Sequence, residues 1–83
     1  MDMLQALADA NRRIVGARQV LRAIAAGGVV GVFIARDADP FLTRPVMDAC
    51  EKAHIRFDES QTMAELGRAC GIAVKASVAA LRK

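Results

Sequence analysis

Two apolar patterns alternate along the chain, and the first is the spacing typical of helices. Apolar residues recur three and four positions apart in residues 3–13, with Asp2 placed to cap the helix start. The same spacing recurs in residues 17–26 and stops at Gly27-Gly28, as helices commonly do. The pattern therefore predicts two helices in the first third of the chain.

Capping signals predict two further helices. Thr43 is placed to cap a helix over residues 44–53, with Pro45 in the first turn, where its missing N–H costs nothing. Thr62 and Glu65 have the spacing of a capping box, which favours a fourth helix starting there.

The second pattern predicts four strands. Residues 29–35 are a continuous apolar run rich in β-branched side chains, typical of a strand buried on both faces. Short strands are predicted at residues 13–15 and 55–58, and alternation predicts a last strand over residues 72–81. The order of elements is then α-β-α-β-α-β-α-β, which indicates an α/β fold with three layers, an α/β/α sandwich.

Length and composition narrow the classes of protein. The 83 residues suffice for one domain, residues 1–83, and 54% of them are hydrophobic, too many for a disordered tail. No apolar run reaches the roughly 18–20 residues of a membrane span. The first residues carry charges where a secretion signal would be apolar, so we expect a cytoplasmic protein with reduced thiols.

The charges are distributed unevenly. Residues 10–36 hold five basic side chains and no acid, and residues 66–83 hold four and no acid. The segment between them, residues 37–65, contains seven acids. If the basic stretches meet in space, they form a positive face that suits a polyanion; a mixed, solvated surface is the alternative, because the net charge is only +3.

Residues that could support catalysis or bind a metal are few. His54 is the single histidine and lies near a predicted helix end, where its charge suits the helix dipole. Asp37 and Asp39 could be an acid pair or a magnesium site, but a turn before proline favours hydrogen bonds to the local backbone. Cys50 and Cys70 follow apolar neighbours and are predicted to be buried. We therefore predict no enzyme activity, no cofactor and no metal.

The start of the second predicted helix is unusual. Gly16 ends a strand where the helix begins, and a helix start with free N–H groups favours an anion. Arg18 lies in the first turn, where a cation opposes the dipole, and Arg22 follows four residues later on the same face. Arginine can also pair with guanine through two hydrogen bonds, and Gln19 adds a donor and an acceptor. An ordinary exposed helix start with long basic side chains is the alternative.

Three motifs together carry a resemblance to a known family. They are VGARQVLRAI (15–24), VFIARDADP (32–40) and ELGRACGI (65–72). Their order and spacing resemble the small bacterial members of the L7Ae/L30e ribosomal protein family, which bind kink-turn RNA. The resemblance extends from about residue 13 to residue 81. It implies an α/β/α sandwich with a four-stranded mixed sheet.

The resemblance also implies how RNA is bound. A kink-turn is a duplex bent at a bulge beside tandem sheared G·A pairs, and the bend opens a groove otherwise too narrow for side chains. The family inserts the start of its second helix there and covers the bulge with the loop before its fourth helix. The implied RNA contacts are Gly16, Ala17, Arg18, Gln19, Arg22, Arg36, Glu59, Ser60, Gln61, Thr62 and Arg68, although the RDADP segment around Arg36 looks mainly structural.

Some positions depart from the family pattern. Ala17 stands where threonine is common, Ser60 stands where valine is expected, and Asp58 and Glu59 add negative charge near the RNA. Lys75 replaces a small residue of the last strand. We expect a monomer that binds a kink-turn, in ribosomal RNA or a structured messenger RNA element. The alternatives are a protein-interaction module that no longer binds RNA and, by analogy of fold alone, a small enzyme.

Overall fold

A computed structural model describes residues 2–83 and contains the predicted alternation of helices and strands. The elements are α1 (Met3–Ala6), β1 (Arg13–Val15), α2 (Ala17–Ala26), β2 (Val29–Ile34), α3 (Pro40–Ala53), β3 (Phe57–Asp58), α4 (Met63–Ala69) and β4 (Val78–Arg82).

The strands form one mixed sheet of four in the order β1-β4-β2-β3. β4 is antiparallel to both of its neighbours, whereas β2 and β3 are parallel. The predicted α/β fold with a four-stranded mixed sheet is confirmed. β2 and β4 occupy the centre of the sheet, so their two faces are both available for packing.

Each face of the sheet has its own helix layer. α2 and α3 pack Val20, Ile24, Val46 and Cys50 against one face. On the other face, α1 and α4 and the turn after α1 contribute Leu7, Leu66 and Cys70, which pack against Phe33 and Leu81. This two-sided burial explains why β2 has an almost continuous apolar sequence. Within β2 only Val30 is not buried, with 42% of its surface exposed.

The first helix is shorter than the spacing predicts. Residues 3–13 were expected to be helical, but α1 ends at Ala6, with Asp2 accepting a hydrogen bond from the Leu4 N–H as expected. Asp9 interrupts the pattern because its carboxylate accepts from the Asn11 N–H at 2.9 Å. A short polar side chain that binds nearby backbone competes with helical hydrogen bonds.

The third helix begins four residues before the predicted start. Asp39, not Thr43, is its N-cap and accepts from the Phe41 N–H at 2.9 Å, with Pro40 at the first helical position. Thr43 is buried inside the helix, and Pro45 lies in the helix interior. The prediction was wrong because Asp39-Pro40 and Thr43-Arg44-Pro45 both have a capping residue before a proline.

The last two strands are also shorter than predicted. β3 covers Phe57–Asp58 instead of residues 55–58, and β4 covers Val78–Arg82 instead of residues 72–81. Residues 72–77 lie against α4, where the Ile72 N–H donates to Gly67 O and the Ala76 N–H donates to Met63 O. These hydrogen bonds keep residues 72–77 out of the sheet, and the alternation does not follow burial, because Val74 is 69% exposed.

The topology places three helix starts at one edge of the sheet. β1, β2 and β3 run in the same direction, so their carboxyl ends (Val15, Ile34 and Asp58) lie together beside Val78, where β4 begins. We call this side the carboxyl edge, and the opposite side, where β4 ends at Arg82, the amino edge. In open α/β sheets ligands usually bind beyond the carboxyl ends of strands.

Candidate functional site

The carboxyl edge brings the two main predicted contact segments together. The Gly16 N–H, at the start of α2, donates to Val78 O at 2.9 Å. Two residues earlier in the chain, the Ala76 N–H donates to Met63 O at 3.1 Å, which places the same segment beside the start of α4. Residues 76–78 therefore join the start of α2 to the loop before α4.

The start of α2 has backbone donors without protein partners. Gly16 is its N-cap, and no side chain among residues 2–83 caps this helix. The other three helices are capped by Asp2, Asp39 and Thr62. The N–H groups of the first turn of α2 are thus open to a ligand acceptor, at the positive end of the helix dipole.

Gly16 has a conformation that other residues rarely adopt. Its φ is +103° and its ψ is 141°, a region accessible essentially to glycine alone. A Cβ at this position would lie 2.9 Å from the Gln19 Oε1, because the Gln19 side chain folds back over the glycine. The glycine allows the sharp turn from β1 into α2 and leaves room for the Gln19 side chain at the helix start.

The helix presents its polar side chains to solvent. Val20 and Ile24 are buried, so α2 is fixed in rotation, and Arg18, Gln19 and Arg22 are exposed. Ala17 is half-buried and packs against the α2–α3 side of the core. Arg18 and Arg22 therefore lie on the exposed face of a rigid element, and the exposed Gln19 folds back over its first turn.

The loop before α4 is held by its own hydrogen bonds. The Asp58 carboxylate accepts from the Ser60 N–H at 2.7 Å and from the Ser60 hydroxyl. These hydrogen bonds lower the pKa of Asp58, because they stabilise its charged form. Glu59 and Ser60 are exposed, whereas Gln61 is half-buried. The acidic side chain that departs from the family pattern thus orders the loop.

Arg36 connects this loop to the end of β2. Its Nη1 donates to Ser60 O and lies 3.8 Å from the Glu65 Oε1, and its backbone N–H donates to Gln61 O at 2.9 Å. The guanidinium is used within the protein, which agrees with a structural role for the RDADP segment. Asp37 in the same segment accepts from the Met63 N–H at 2.8 Å, a long-range contact and not the local one expected.

The predicted capping box of α4 is present. The Thr62 hydroxyl accepts from the Glu65 N–H at 3.1 Å, and the Glu65 carboxylate accepts from the Thr62 N–H at 2.8 Å. The hydrogen bonds from Thr62 lower the pKa of Glu65, and the charges of Arg36 and Arg68 lower it further. The Thr62 oxygen is therefore occupied by the cap, which fixes the loop against the helix.

Lys75 is a residue whose position the sequence did not indicate. Arg68 and Lys75 line one depression, together with Ala64, Ile72, Ala73 and Val74. Val74 is 69% exposed beside them. The prediction wrongly extended the last strand to residues 72–77 and so did not place Lys75 beside Arg68. The left-handed φ of +71° at Gly71 is the feature that turns the chain.

Neither a metal centre nor a reactive thiol is found in the described part of the chain. Residues 2–83 contain no group of three or more His, Cys, Asp or Glu side chains that could hold a metal. Cys50 and Cys70 are buried as predicted, and burial raises the pKa of both thiols. His54 ends α3 in the left-handed conformation, with φ of +57°. Over the same residues, no helix is long and apolar enough to cross a membrane.

Comparison with known proteins gives a consistent family. The model of the ribosomal protein L7Ae/L30e/S12e/Gadd45 family matches residues 1–83. An RNA-binding protein of Caldanaerobacter subterraneus is 44% identical over 69 residues, covering 83% of this chain and 84% of that protein. An RNA-binding protein of Geobacillus is 36% identical over 73 residues, covering 88% of this chain and 89% of that protein. The family and the names of these relatives agree with the prediction of no enzyme activity.

Solved structures agree with the fold. The Giardia lamblia 15.5kD RNA binding protein superposes with a TM-score of 0.88 at 30% identity, covering 96% of this chain and 68% of that one. A Bacillus halodurans protein of unknown function gives a TM-score of 0.86 at 26% identity, covering 96% of this chain and 80% of that one.

Proposed function

Because the chain belongs to the ribosomal protein L7Ae/L30e/S12e/Gadd45 family, we propose that it binds RNA at the carboxyl edge and recognises kink-turns there. The RNA-binding names of its relatives support the first part of this proposal. The single observation that carries the second part is the junction of the uncapped α2 start with the loop before α4, through residues 76–78.

The start of α2 is the part that enters the opened groove. Gly16 has no side chain to keep the RNA away, and no capping side chain competes for the N–H donors that follow it. Arg18 and Gln19 lie at the first turn and face the sheared G·A pairs, whose exposed edges offer both acceptors and donors. Arg22, one turn later, is positioned for a phosphate.

The loop of residues 59–62 covers the bulged nucleotides. Its conformation is set by Asp58 at one end and by the capping box at the other, so little entropy is lost when it meets RNA. Arg68 and Lys75 line one depression beside α4 and provide phosphate contacts. Glu59 is exposed in this loop and weakens binding to RNA by charge repulsion.

Calorimetric titration of the protein with a kink-turn duplex tests this function. A matched duplex has its G·A pairs replaced by Watson–Crick pairs, and both are measured at two salt concentrations. We expect binding to the kink-turn to be tighter and to weaken as salt rises, because counterions are released. Equal weak binding to both duplexes would contradict kink-turn recognition, and binding to neither would favour the protein-interaction alternative.

A further inference from the structure

A line of basic side chains continues from the start of α2 to the opposite edge of the sheet. Arg18 and Arg22 lie on the exposed face of α2, and Ala26 follows four residues later. Ala26 lines a depression at the amino edge, together with Ile14, Ala23, Gly28, Arg82 and Lys83. We call Arg18, Arg22, Arg82 and Lys83 the cationic track.

The chain is anchored where the track reaches the amino edge. The Lys83 N–H donates to Gly28 O at 2.9 Å, which ties the end of β4 to the end of α2. The Arg82 N–H donates to Arg12 O at 2.9 Å, which ties the end of β4 to the residue before β1. Backbone contacts therefore hold the far end of the track in a fixed position.

The charge of the track is not balanced by carboxylates of the same elements. β1, α2 and β4 contain no acid. Within residues 2–83, the salt bridge shorter than 4.0 Å is formed by Arg36 and Glu65, which are not part of the track. The negative end of the α2 dipole attracts Arg82 and Lys83, which accounts for part of their placement. It does not account for Arg18 and Arg22, which lie nearer the positive end.

The exposed residues of α2 beyond Arg22 have short side chains. Ala25 and Ala26 are exposed alanines, so α2 itself presents no long exposed side chain between Arg22 and its carboxyl end. The helix rises about 12 Å from Arg18 to Ala26, at about 1.5 Å per residue. A nucleic-acid duplex of that length presents several phosphates.

We propose that one duplex stem beside the kink lies along α2 and that Arg82 and Lys83 bind its phosphates at the amino edge. This inference rests on the proposed function, because the RNA must first be seated at the carboxyl edge. Its consequence is that the protein contacts RNA on the flanking stem as well as at the kink. Affinity then depends on the length of one stem.

The test compares a kink-turn RNA that has two short stems with two derivatives of it. In each derivative one of the two stems is lengthened by about one helical turn. Wild-type protein is compared with the double variant Arg82→Gln and Lys83→Gln. The matched control is Lys52→Gln with Arg56→Gln, which removes the same charge from exposed positions on α3 and before β3. Binding is measured across a salt series.

We expect wild type to bind one of the lengthened RNAs about three- to tenfold more tightly than the short RNA. The Arg82/Lys83 variant should lose that gain. Its slope of log affinity against log salt should fall by about 1.4–1.8, the value for two phosphate contacts. The control variant should behave as wild type. If neither extension raises the affinity of wild type, or if the Arg82/Lys83 variant and the control variant lose affinity equally, the inference is overturned.

The two proposals fail in different ways. If the kink-turn is still preferred over its Watson–Crick counterpart but stem length has no effect, the inference is wrong and the proposed function stands. If the kink-turn preference itself is missing, both fail. If the affinity of the Arg82/Lys83 variant falls equally on short and long RNAs, the contact is not with the stem and the inference is also wrong.

Discussion

Gly67 is the position where a single methyl group should disturb the fold most clearly. It lies buried in α4, against the segment that connects this helix to β4. A Cβ built on Gly67 would be 2.2 Å from Val74 O and 3.2 Å from Lys75 Cα. These neighbours are backbone, so no flexible side chain can move aside.

The expected cost follows from that geometry. A carbon and an oxygen normally stay at least about 3.3 Å apart, so the backbone at Val74 must shift by about 1 Å. Overpacking of this kind costs about 3 kcal/mol at the upper end of its usual range. Alanine restores about 1 kcal/mol of helix propensity. The Gly67→Ala substitution should thus lower the free energy of unfolding by about 2 kcal/mol.

Thermal unfolding followed by circular dichroism measures this cost. For a chain of this size, 2 kcal/mol corresponds to a fall in Tm of about 10 °C. Gly28→Ala is the matched control, because nothing lies within 4 Å of its Cβ position and its φ is not in the left-handed region. It should be neutral or stabilising by up to about 1 kcal/mol. Equal Tm values for Gly67→Ala and wild type would refute the packing of residues 72–77 on α4.

Four other predictions concern the site and the core. Arg18→Ala should weaken kink-turn binding by about 1–3 kcal/mol in calorimetry, the range for one bidentate base contact. Thr62→Ala should destabilise the fold by about 0.5–2 kcal/mol in urea unfolding, because the capping hydroxyl is lost. The pKa of Glu65 is lowered in the folded state, so its charged form stabilises the fold above about pH 4.3. This stabilisation is lost as the pH falls through the lowered pKa of the folded state. Glu65→Gln should therefore reduce the fall in Tm on acidification. Cys50 and Cys70 should react with a thiol reagent only on unfolding, since burial raises the pKa of both thiols.

Each of these predictions has a control and a contradicting result. Unchanged affinity in folded Arg18→Ala protein would remove that residue from the site, and Arg56→Ala is its matched cation control. Thr62→Ser keeps a hydroxyl and should retain most of the stability; a loss as large as that of alanine would contradict the cap. Identical acid curves for wild type and Glu65→Gln would show that the carboxylate does not contribute. Thiol reaction at the rate of free cysteine in native buffer would contradict burial.

The sequence was informative wherever one local signal had one interpretation. Gly16 between β1 and α2, the Gly27-Gly28 stop and the Thr62 capping box each specify a backbone state, and each is present in the structure. β2 was recognisable because a central strand buried on both faces must be apolar throughout. These elements set the topology and bring the α2 start to the carboxyl edge.

The sequence predictions were wrong where tertiary contacts determine which structure a segment adopts. The alternation in residues 72–77 is equally suited to a strand, and only the contact with Gly67 and Met63 directs this segment to α4. The start of α3 was misplaced because two capping signals occur four residues apart. The sequence indicated a structural role for the segment around Arg36, but spacing alone does not predict the contacts that Arg36 and Asp58 form within the loop.

The most direct test of RNA binding at the carboxyl edge is an NMR titration of ¹⁵N-labelled protein with the kink-turn duplex. The backbone N–H groups of Ala17, Arg18 and Gln19 should show large changes in chemical shift, together with those of the loop at residues 59–62. The same signals should stay unchanged with the Watson–Crick duplex at equal concentration. Large shifts confined to other surfaces, with residues 17–19 unmoved by the kink-turn, would contradict the account.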